Sequence, residues 1–165
     1  MKLHLGCGRH YLDGWVNVDV VPHPKAKNPP DMISAADKID LPDGCADEIM
    51  AIHLFEHMNK HEAIAALREW HRLLKAGGRL VLEMPDLLKC CRNFVANMND
   101  PKNSLYGIYG NHDGEESPWM WHKYGWTMQT LKPELEKVGF VQIKAGFPEW
   151  HGQRNHRDFR VEAIK

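Results

Sequence analysis

The feature that most restricts the fold of this chain is the stretch LHLGCGRHYLDGWVNVDV at residues 3–20. It predicts a strand, a Gly-x-Gly turn and a second strand that ends in a carboxylate at Asp19. A glycine turn directly after a strand lets the backbone approach a ligand closely. The stretch therefore favours an α/β fold with a ligand at the carboxyl ends of its strands.

Two common ligands of glycine-rich turns fit this stretch poorly. No Lys-Ser or Lys-Thr follows the turn, as a phosphate-binding loop requires. The dinucleotide fingerprint needs a third glycine where Tyr11 stands, and its acidic residue lies about 20 positions further on, well beyond Asp19. A carboxylate at the end of the second strand can accept hydrogen bonds from both hydroxyls of a ribose. The residues thus favour a nucleoside without a pyrophosphate.

The rest of the chain alternates short apolar runs with amphipathic segments. The predicted strands cover residues 3–5, 15–20, 32–35, 48–52, 79–84, 140–145 and 159–164. The last two are separated only by a loop, so they should form an antiparallel pair. Strands that alternate with helices and end in such a hairpin predict a three-layer α/β domain with a mostly parallel sheet.

The helices are predicted from their end signals. Asn59 and Glu62 form a capping box for the clearest helix, and Gly77 is its expected C-terminal stop. A second helix is expected over residues 87–97. A third precedes Gly139, and because Pro133 would break a hydrogen bond inside it, that helix should start near residue 132 or be kinked.

Composition limits the classes of partner. The chain has 165 residues, enough for one domain, and a formal net charge of -1, which argues against sequence-independent nucleic-acid binding. No apolar run approaches the roughly 20 residues of a membrane span, and the N-terminus lacks a signal-peptide pattern. The four cysteines match no zinc or disulfide pattern. We expect one cytoplasmic domain over residues 1–165, with its oligomeric state left open.

His53, His57 and His61 are spaced by four residues, with Glu56 among them. On one helix this spacing would place three imidazoles on one face, as a metal site needs. However, His53 follows an apolar strand-like run and Asn59 is a predicted helix cap, so the three are not expected to share a helix. Their order also differs from the zinc motif His-Glu-x-x-His. The expectation is that the protein holds no metal.

Residues 99–126 lack the periodicity of a helix or strand but are rich in aromatic residues. They include the tryptophans and histidines of the segment NHDGEESPWMWHKYGWT, namely His112, Trp119, Trp121, His122 and Trp126. Loops longer than about 15 residues are usually functional or disordered, and the aromatic content argues against disorder. We expect a substrate lid over residues 99–126. The alternative is that these aromatic residues only close one end of the sheet.

In their order along nearly the whole chain, the motifs resemble those of class I S-adenosylmethionine-dependent methyltransferases. HLGCG and VNVDV resemble the first motif and the acidic end of the second strand, and AADKIDLPDGCADEIMAIHLFEHM resembles the next two motifs. The family's helix end, double glycine and fifth strand are matched by LKAGGRLVLEMPD. The segment that leads into its terminal hairpin is matched by LKPELEKVGF. The resemblance implies a Rossmann-like fold with a seven-stranded sheet.

The resemblance also implies roles for particular residues. Asp19 would bind the ribose of S-adenosylmethionine, Asp37 would accept from the adenine amino group, and His53 would line the sulfonium side. The implied cofactor-binding residues are Gly6, Cys7, Gly8, Asp19, Val20, Ala36, Asp37, Lys38 and His53. The stretch between Gly8 and Asp19 is too short for the family's full first helix, so Arg9 is a candidate partner for the cofactor carboxylate.

These observations predict an enzyme that moves a methyl group from S-adenosylmethionine to a small-molecule acceptor such as a sugar or metabolite, with S-adenosylhomocysteine as product. A hydroxyl acceptor also needs a base, and His57 and His122 are the candidate catalytic residues, with Asp86 in reserve. One alternative is a catalytically silent module that binds the cofactor or its product. An NAD-type oxidoreductase is less favoured because of Tyr11 and the short spacing to Asp19.

Overall fold

The computed structural model describes residues 1–98, 102–111, 120–150 and 154–165. In these residues seven strands form one sheet, in the order β3-β2-β1-β4-β5-β7-β6. The strands are β1 (Lys2–Leu5), β2 (Val16–Asp19), β3 (Met32–Ile33), β4 (Ala46–Ile52), β5 (Leu74–Pro85), β6 (Val141–Gly146) and β7 (Asp158–Ile164). The first five run parallel, whereas β7 is antiparallel to both β5 and β6. The predicted mixed sheet and its terminal hairpin are confirmed.

The helices of the described residues follow β4 and β5 in the chain. They are α1 (Lys60–Leu73), α2 (Leu87–Ala96), α3 (Lys102–Tyr109) and α4 (Met128–Val138), with a short 3-10 turn over Phe55–His57 before α1. The predicted capping box is confirmed, because Asn59 accepts from the backbone of Glu62 while Glu62 accepts from the backbone of Asn59. None of the described helices is long and apolar enough to span a membrane.

One predicted helix end was wrong, and of the two alternatives for α4 the start near residue 132 does not hold. Helix α1 ends before Gly77, because Leu74 already pairs with Ala46 as the first residue of β5. Gly77, at φ +78°, instead lies in the irregular part of that strand. Helix α4 starts at Met128, capped by Thr127, and not near residue 132, so Pro133 lies inside it. There Pro133 has no N–H to donate to the carbonyl four residues earlier.

The apolar core lies between the sheet and helices α1 and α4. Leu67 and Trp70 of α1, and Leu131 and Leu135 of α4, are buried against apolar strand residues. Complete burial of each such leucine contributes roughly 1.5–3 kcal/mol relative to an exposed side chain. These helices therefore fix the sheet and the positions of its carboxyl ends.

Loops pack on the opposite face of the sheet in the described parts of the chain. The connections between β1, β2, β3 and β4 form no helix, as expected for the short stretch that follows Gly8. Loop residues Leu12, Trp15 and Trp150 pack on a small cluster of Met50, Ile52 and Val81 instead. The third layer of the domain is therefore made of loops.

On this same face of the sheet, charged side chains of neighbouring strands form a row of ion pairs, which we call the ionic row. Its members are Lys2 of β1, Glu48 of β4, Arg79 and Glu83 of β5, and Arg160 and Glu162 of β7. Neighbours of opposite sign lie 2.6 Å apart in the pairs Arg79–Glu48 and Arg160–Glu83. The pairs Lys2–Glu48, Arg79–Glu162 and Arg160–Glu162 measure 3.1, 3.4 and 2.8 Å.

The predicted lid over residues 99–126 is only partly described. The expectation that it lacks regular structure was wrong for helix α3, which packs against α2. Trp126 is buried and contacts Phe55, which agrees with the alternative that these aromatic residues close one end of the sheet. Trp121, in contrast, is 45% exposed. His112 and Trp119 lie outside the described residues, so the lid stays a prediction.

Candidate active site

The Gly6–Gly8 turn leaves β1 in a conformation that requires glycine. The backbone N–H groups of Gly6 and Cys7 both donate to the Val18 carbonyl of β2, at 2.8 and 3.2 Å. Gly6 has a φ of +65°, and a Cβ there would lie 2.8 Å from a Leu54 methyl carbon. The turn is thus packed directly against the segment that follows β4.

Asp19 closes the same turn from the end of β2. One of its carboxylate oxygens accepts from the Gly8 N–H at 2.7 Å, and the other accepts from the Val20 N–H at 2.7 Å. Each carboxylate oxygen still has a second lone pair for a ligand hydroxyl, and the residue is half-buried. The direct link between Asp19 and Gly8 was not foreseen from the sequence.

The other residues implied for the cofactor lie in a turn after β3. The Trp70 indole donates to the Ala36 carbonyl at 2.7 Å, and the Ser34 hydroxyl donates to the Lys38 carbonyl at 2.8 Å. Ser34 is itself tied to β2, because its N–H donates to the Asp19 carbonyl at 2.9 Å. These bonds hold the turn while the Asp37 side chain stays exposed.

Cys7 is the only thiol among the residues implied for the cofactor, and it is buried at 3% exposure. Burial raises the pKa of Cys7 to about 11. A neutral thiol is a poor nucleophile, so Cys7 serves as a small side chain in the turn. The candidate cofactor-carboxylate partner Arg9 is exposed beside His10.

His53 lies at the carboxyl end of β4 and is held from both sides. Its Nδ1 is 2.9 Å from Glu56 Oε1, and its Nε2 is 3.3 Å from Asp158 Oδ2 at the start of β7. Its N–H donates to the Glu83 carbonyl, and its φ of +50° is unusual for a residue with a side chain. Neighbouring contacts must therefore compensate a strain of about 1–3 kcal/mol.

The charges of this group follow from its hydrogen bonds. Burial alone would lower the pKa of His53, but the bonds to Asp158 and Glu56 outweigh it and raise the value to about 9. Burial would raise the pKa values of Glu56 and Asp158, yet their bonds to His53 hold both at about 2. Arg157 adds a second cation against Asp158. At neutral pH the group therefore contains two cations and two anions joined by three ionic contacts.

His57 and His122, which are far apart in sequence, meet beside this group. Their rings are 4.9 Å apart in an edge-to-face arrangement. The Nδ1 atom of His57 is 3.1 Å from the Trp121 carbonyl, and that of His122 is 3.1 Å from the Gly107 carbonyl in α3. A carbonyl can only accept, so each Nδ1 carries the proton and each Nε2 of the neutral ring presents a lone pair.

Glu56 completes this pair of imidazoles and was not predicted to do so. Its Oε1 lies 4.0 Å from His122 Nε2, and its side chain is 3% exposed. Its Oε2 is buried and makes no hydrogen bond within the described parts of the chain. Burial lowers the pKa of His122, which favours its neutral form beside this carboxylate.

Two other residues considered for chemistry are occupied elsewhere. Asp86 caps α2, accepting from the N–H groups of Leu88 and Lys89, which leaves it a structural role. His61 is an exposed residue of α1 and does not join His53 and His57, as expected from the sequence.

Glu56, His57 and His122 each place one potential metal-ligand atom within 4.8 Å of the others, so the expected absence of a metal stays a prediction.

Comparison with known proteins gives a partial family match and a shared fold. Residues 3–82 match the family model of a methyltransferase domain. No curated protein matches the sequence significantly. Among solved structures, a SAM-dependent methyltransferase from Archaeoglobus fulgidus is 19% identical, with a TM-score of 0.67 over 99% of this chain and 85% of that one.

Two further structures have a similar fold. A possible histamine N-methyltransferase from Thermotoga maritima is 16% identical, with a TM-score of 0.64 over 99% of this chain and 81% of that one. The 1,6-didemethyltoxoflavin-N1-methyltransferase of Burkholderia thailandensis, solved with its substrate and S-adenosylhomocysteine, is 15% identical, with a TM-score of 0.65 over 99% and 70%. The family match covers residues 3–82, just under half of the chain, and the solved structures show that the whole chain has the fold of S-adenosylmethionine-dependent methyltransferases.

Proposed function

We propose that this protein is an S-adenosylmethionine-dependent methyltransferase that transfers the methyl group to a small-molecule acceptor bound beside His57 and His122. The observation that carries the proposal is the packing of Gly6 on Leu54. This contact places the turn implied for the cofactor next to the segment that carries His53, Glu56 and His57. Cofactor and acceptor would therefore meet at one end of the sheet.

The proposal divides the work between two groups of residues. Asp19 binds the ribose hydroxyls, Asp37 reads the adenine amino group, and the Gly6–Gly8 backbone approaches the methionine part of the cofactor. The sulfonium of the bound cofactor supplies the electrophile. His57 and His122 hold the acceptor in line with the S–CH₃ bond, and one of them takes its proton.

Several features support a small acceptor over nucleic acid. The formal net charge is -1, so the chain lacks the basic excess that attracts phosphate backbones. The similar Burkholderia thailandensis enzyme was solved with a small molecule, 1,6-didemethyltoxoflavin. All four cysteines are free, which suits the cytoplasm, where we propose that the enzyme works.

Calorimetry followed by turnover assays tests this function. The protein should bind S-adenosylmethionine and S-adenosylhomocysteine but not NAD, and it should transfer labelled methyl groups to members of a metabolite panel. Binding of NAD alone would indicate an oxidoreductase. Cofactor binding without transfer to any member of a broad panel would favour a silent binding module.

Asp37 should make the protein selective for adenine. Its carboxylate can accept from the adenine amino group, whereas a hypoxanthine ring presents a carbonyl there, which would face the carboxylate without a proton. S-adenosylhomocysteine should therefore bind at least about tenfold more tightly than its inosine analogue, a difference of about 1.4 kcal/mol.

Asp37→Asn should reduce this preference, because an amide can also donate to a carbonyl. Calorimetry with both ligands measures the ratio, and Asp40→Asn is a matched control on an exposed neighbour. Equal affinities of the native protein for the two ligands would show that Asp37 does not read the base.

A further inference from the structure

His122 is held through both its backbone and its ring by the end of helix α3. Its backbone N–H donates to the Tyr109 carbonyl at 3.0 Å, and its Nδ1 lies 3.1 Å from the Gly107 carbonyl. The last carbonyls of a helix have no partner inside it, so His122 supplies the donors for two of them. The end of α3 therefore fixes both the position of the ring and its tautomer.

Gly107 lies inside this helix without a backbone conformation that requires glycine. Its φ is not positive, unlike that of Gly110, the residue that follows α3, where φ is +82°. A glycine inside a helix is less favourable than alanine, because it loses more backbone entropy on folding. The glycine at this position therefore needs another explanation.

Close packing of α3 on its neighbours supplies that explanation. A Cβ at Gly107 would lie 2.5 Å from Cys90 Sγ of α2 and 3.2 Å from Arg157 Cδ. Cys90 is fully buried, and Arg157 is bonded twice to Asp158. We expect α3, and not these side chains, to yield to a larger residue. The missing side chain is what lets α3 approach α2 this closely.

We infer that Gly107 is a positioning residue for methyl transfer, which acts through His122. Its missing side chain seats α3 against Cys90 and Arg157. Its carbonyl then holds the Nδ1–H of His122, which leaves the Nε2 lone pair for the proton of the acceptor. The inference rests on the proposed function, in which an imidazole takes this proton, and adds the element that orients the imidazole.

The same arrangement stabilises the ring after it has taken the proton. The C-terminal end of a helix carries partial negative charge, which favours a cation there. His122 becomes such a cation when its Nε2 accepts a proton, and Glu56 Oε1 lies 4.0 Å from that nitrogen. Gly107 thus keeps the ring where both effects act on it.

The tautomer of His122 tests the inference first in the native protein. Long-range ¹H–¹⁵N NMR correlations distinguish a ring protonated at Nδ1 from one protonated at Nε2, and the His122 signals are identified by their loss in His122→Asn. Burial lowers the pKa of His122 below its ordinary value, so the ring is neutral at about pH 8. The proton is expected on Nδ1. A proton on Nε2 would overturn the inference.

Gly107→Ala should displace α3 from α2 and release the ring from its single tautomer. The spectrum should then contain both tautomers. The single-turnover rate of transfer from S-adenosylmethionine to an acceptor of the metabolite panel should fall about ten- to a hundredfold, because a base displaced by about an ångström loses its alignment. Cofactor affinity should stay nearly constant, since the Gly6 turn and Asp19 are unchanged.

Cys90→Ala should restore the native tautomer and rate when it is combined with Gly107→Ala. It removes the Sγ atom that the new methyl group meets, and the remaining contact with Arg157 needs a shift of only a few tenths of an ångström. Cys90→Ala alone is the matched control and should keep both readouts. Independent losses of stability add, so a merely structural effect would make the double variant worse than either single one.

A folded Gly107→Ala variant with the native tautomer and rate would overturn the inference, and so would a loss that Cys90→Ala does not restore. If Gly107→Ala alone does not fold, the double variant is compared with Cys90→Ala, and a difference between them in tautomer or rate is the contrary result. Failure of the proposed function would be seen separately, as no binding of S-adenosylmethionine or no transfer. The NMR measurements still decide in that case whether Gly107 fixes the His122 ring.

Discussion

His122→Asn is expected to lower kcat for methyl transfer by about 10²–10⁴, the range typical for loss of a general base. The reason is that the substitution removes the Nε2 lone pair that faces Glu56 but keeps a donor for the Gly107 carbonyl. The position of α3 should therefore change little. Single-turnover rates measured at saturating S-adenosylmethionine isolate the chemical step, and calorimetry should show nearly unchanged cofactor affinity.

Comparison with other histidines makes this result specific. His61→Asn changes an exposed residue of α1 and should leave the rate unchanged. His57→Ala should reduce both turnover and cofactor binding, because His57 belongs to the segment that packs against the Gly6 turn. A native rate in folded His122→Asn would exclude His122 as the base and transfer that role to His57.

Asp19→Ala should weaken S-adenosylmethionine binding by about ten- to over a hundredfold, since charge-assisted hydrogen bonds contribute about 1.5–3 kcal/mol. Two effects combine here. The ribose hydroxyls lose their acceptor, and the Gly8 N–H loses the 2.7 Å bond that closes the turn. Calorimetry measures the affinity, and thermal unfolding measures the cost to the protein alone.

Asp13→Ala is the matched control, because Asp13 is an exposed carboxylate in the same connection between β1 and β2. It should change neither measurement by more than the usual surface-substitution range of about 0.5 kcal/mol. Cofactor binding that survives in a stably folded Asp19→Ala variant would contradict the assignment of the ribose site and, with it, the central part of the proposed cofactor geometry.

Local signals predicted much of the fold. The Asn59–Glu62 capping box involves neighbouring residues only, and the alternation of apolar runs with helical segments is enough to predict a mostly parallel sheet, though not the order of its strands. Gly77 was misassigned because a glycine after an apolar stripe is equally consistent with a helix end or with an irregular strand. Only the pairing of Leu74 with Ala46 decides between these interpretations.

Local sequence patterns predicted less of the candidate active site than of the fold. The site combines Glu56 and His57 with His122, which reaches them because residues 122 and 123 bond to α3 and to the Phe55–His57 turn. Asp158, which holds His53 from β7, carries no motif at all. Contacts between residues so distant in sequence depend on the whole chain path, which periodicity and end signals do not specify.

The ionic row affects how this molecule can meet other surfaces. A sheet face without a helical cover is a potential stacking surface, and exposed apolar patches of that kind promote aggregation. Here the strands carry side chains of alternating sign, and the two Arg79 and Arg160 guanidinium groups each bridge two carboxylates. Covering this row with an apolar surface would strip water from its partly exposed members Lys2, Arg79 and Glu162, a cost that ion pairing in the interior often fails to recover. The part of this face that remains exposed therefore disfavours contact with an apolar surface.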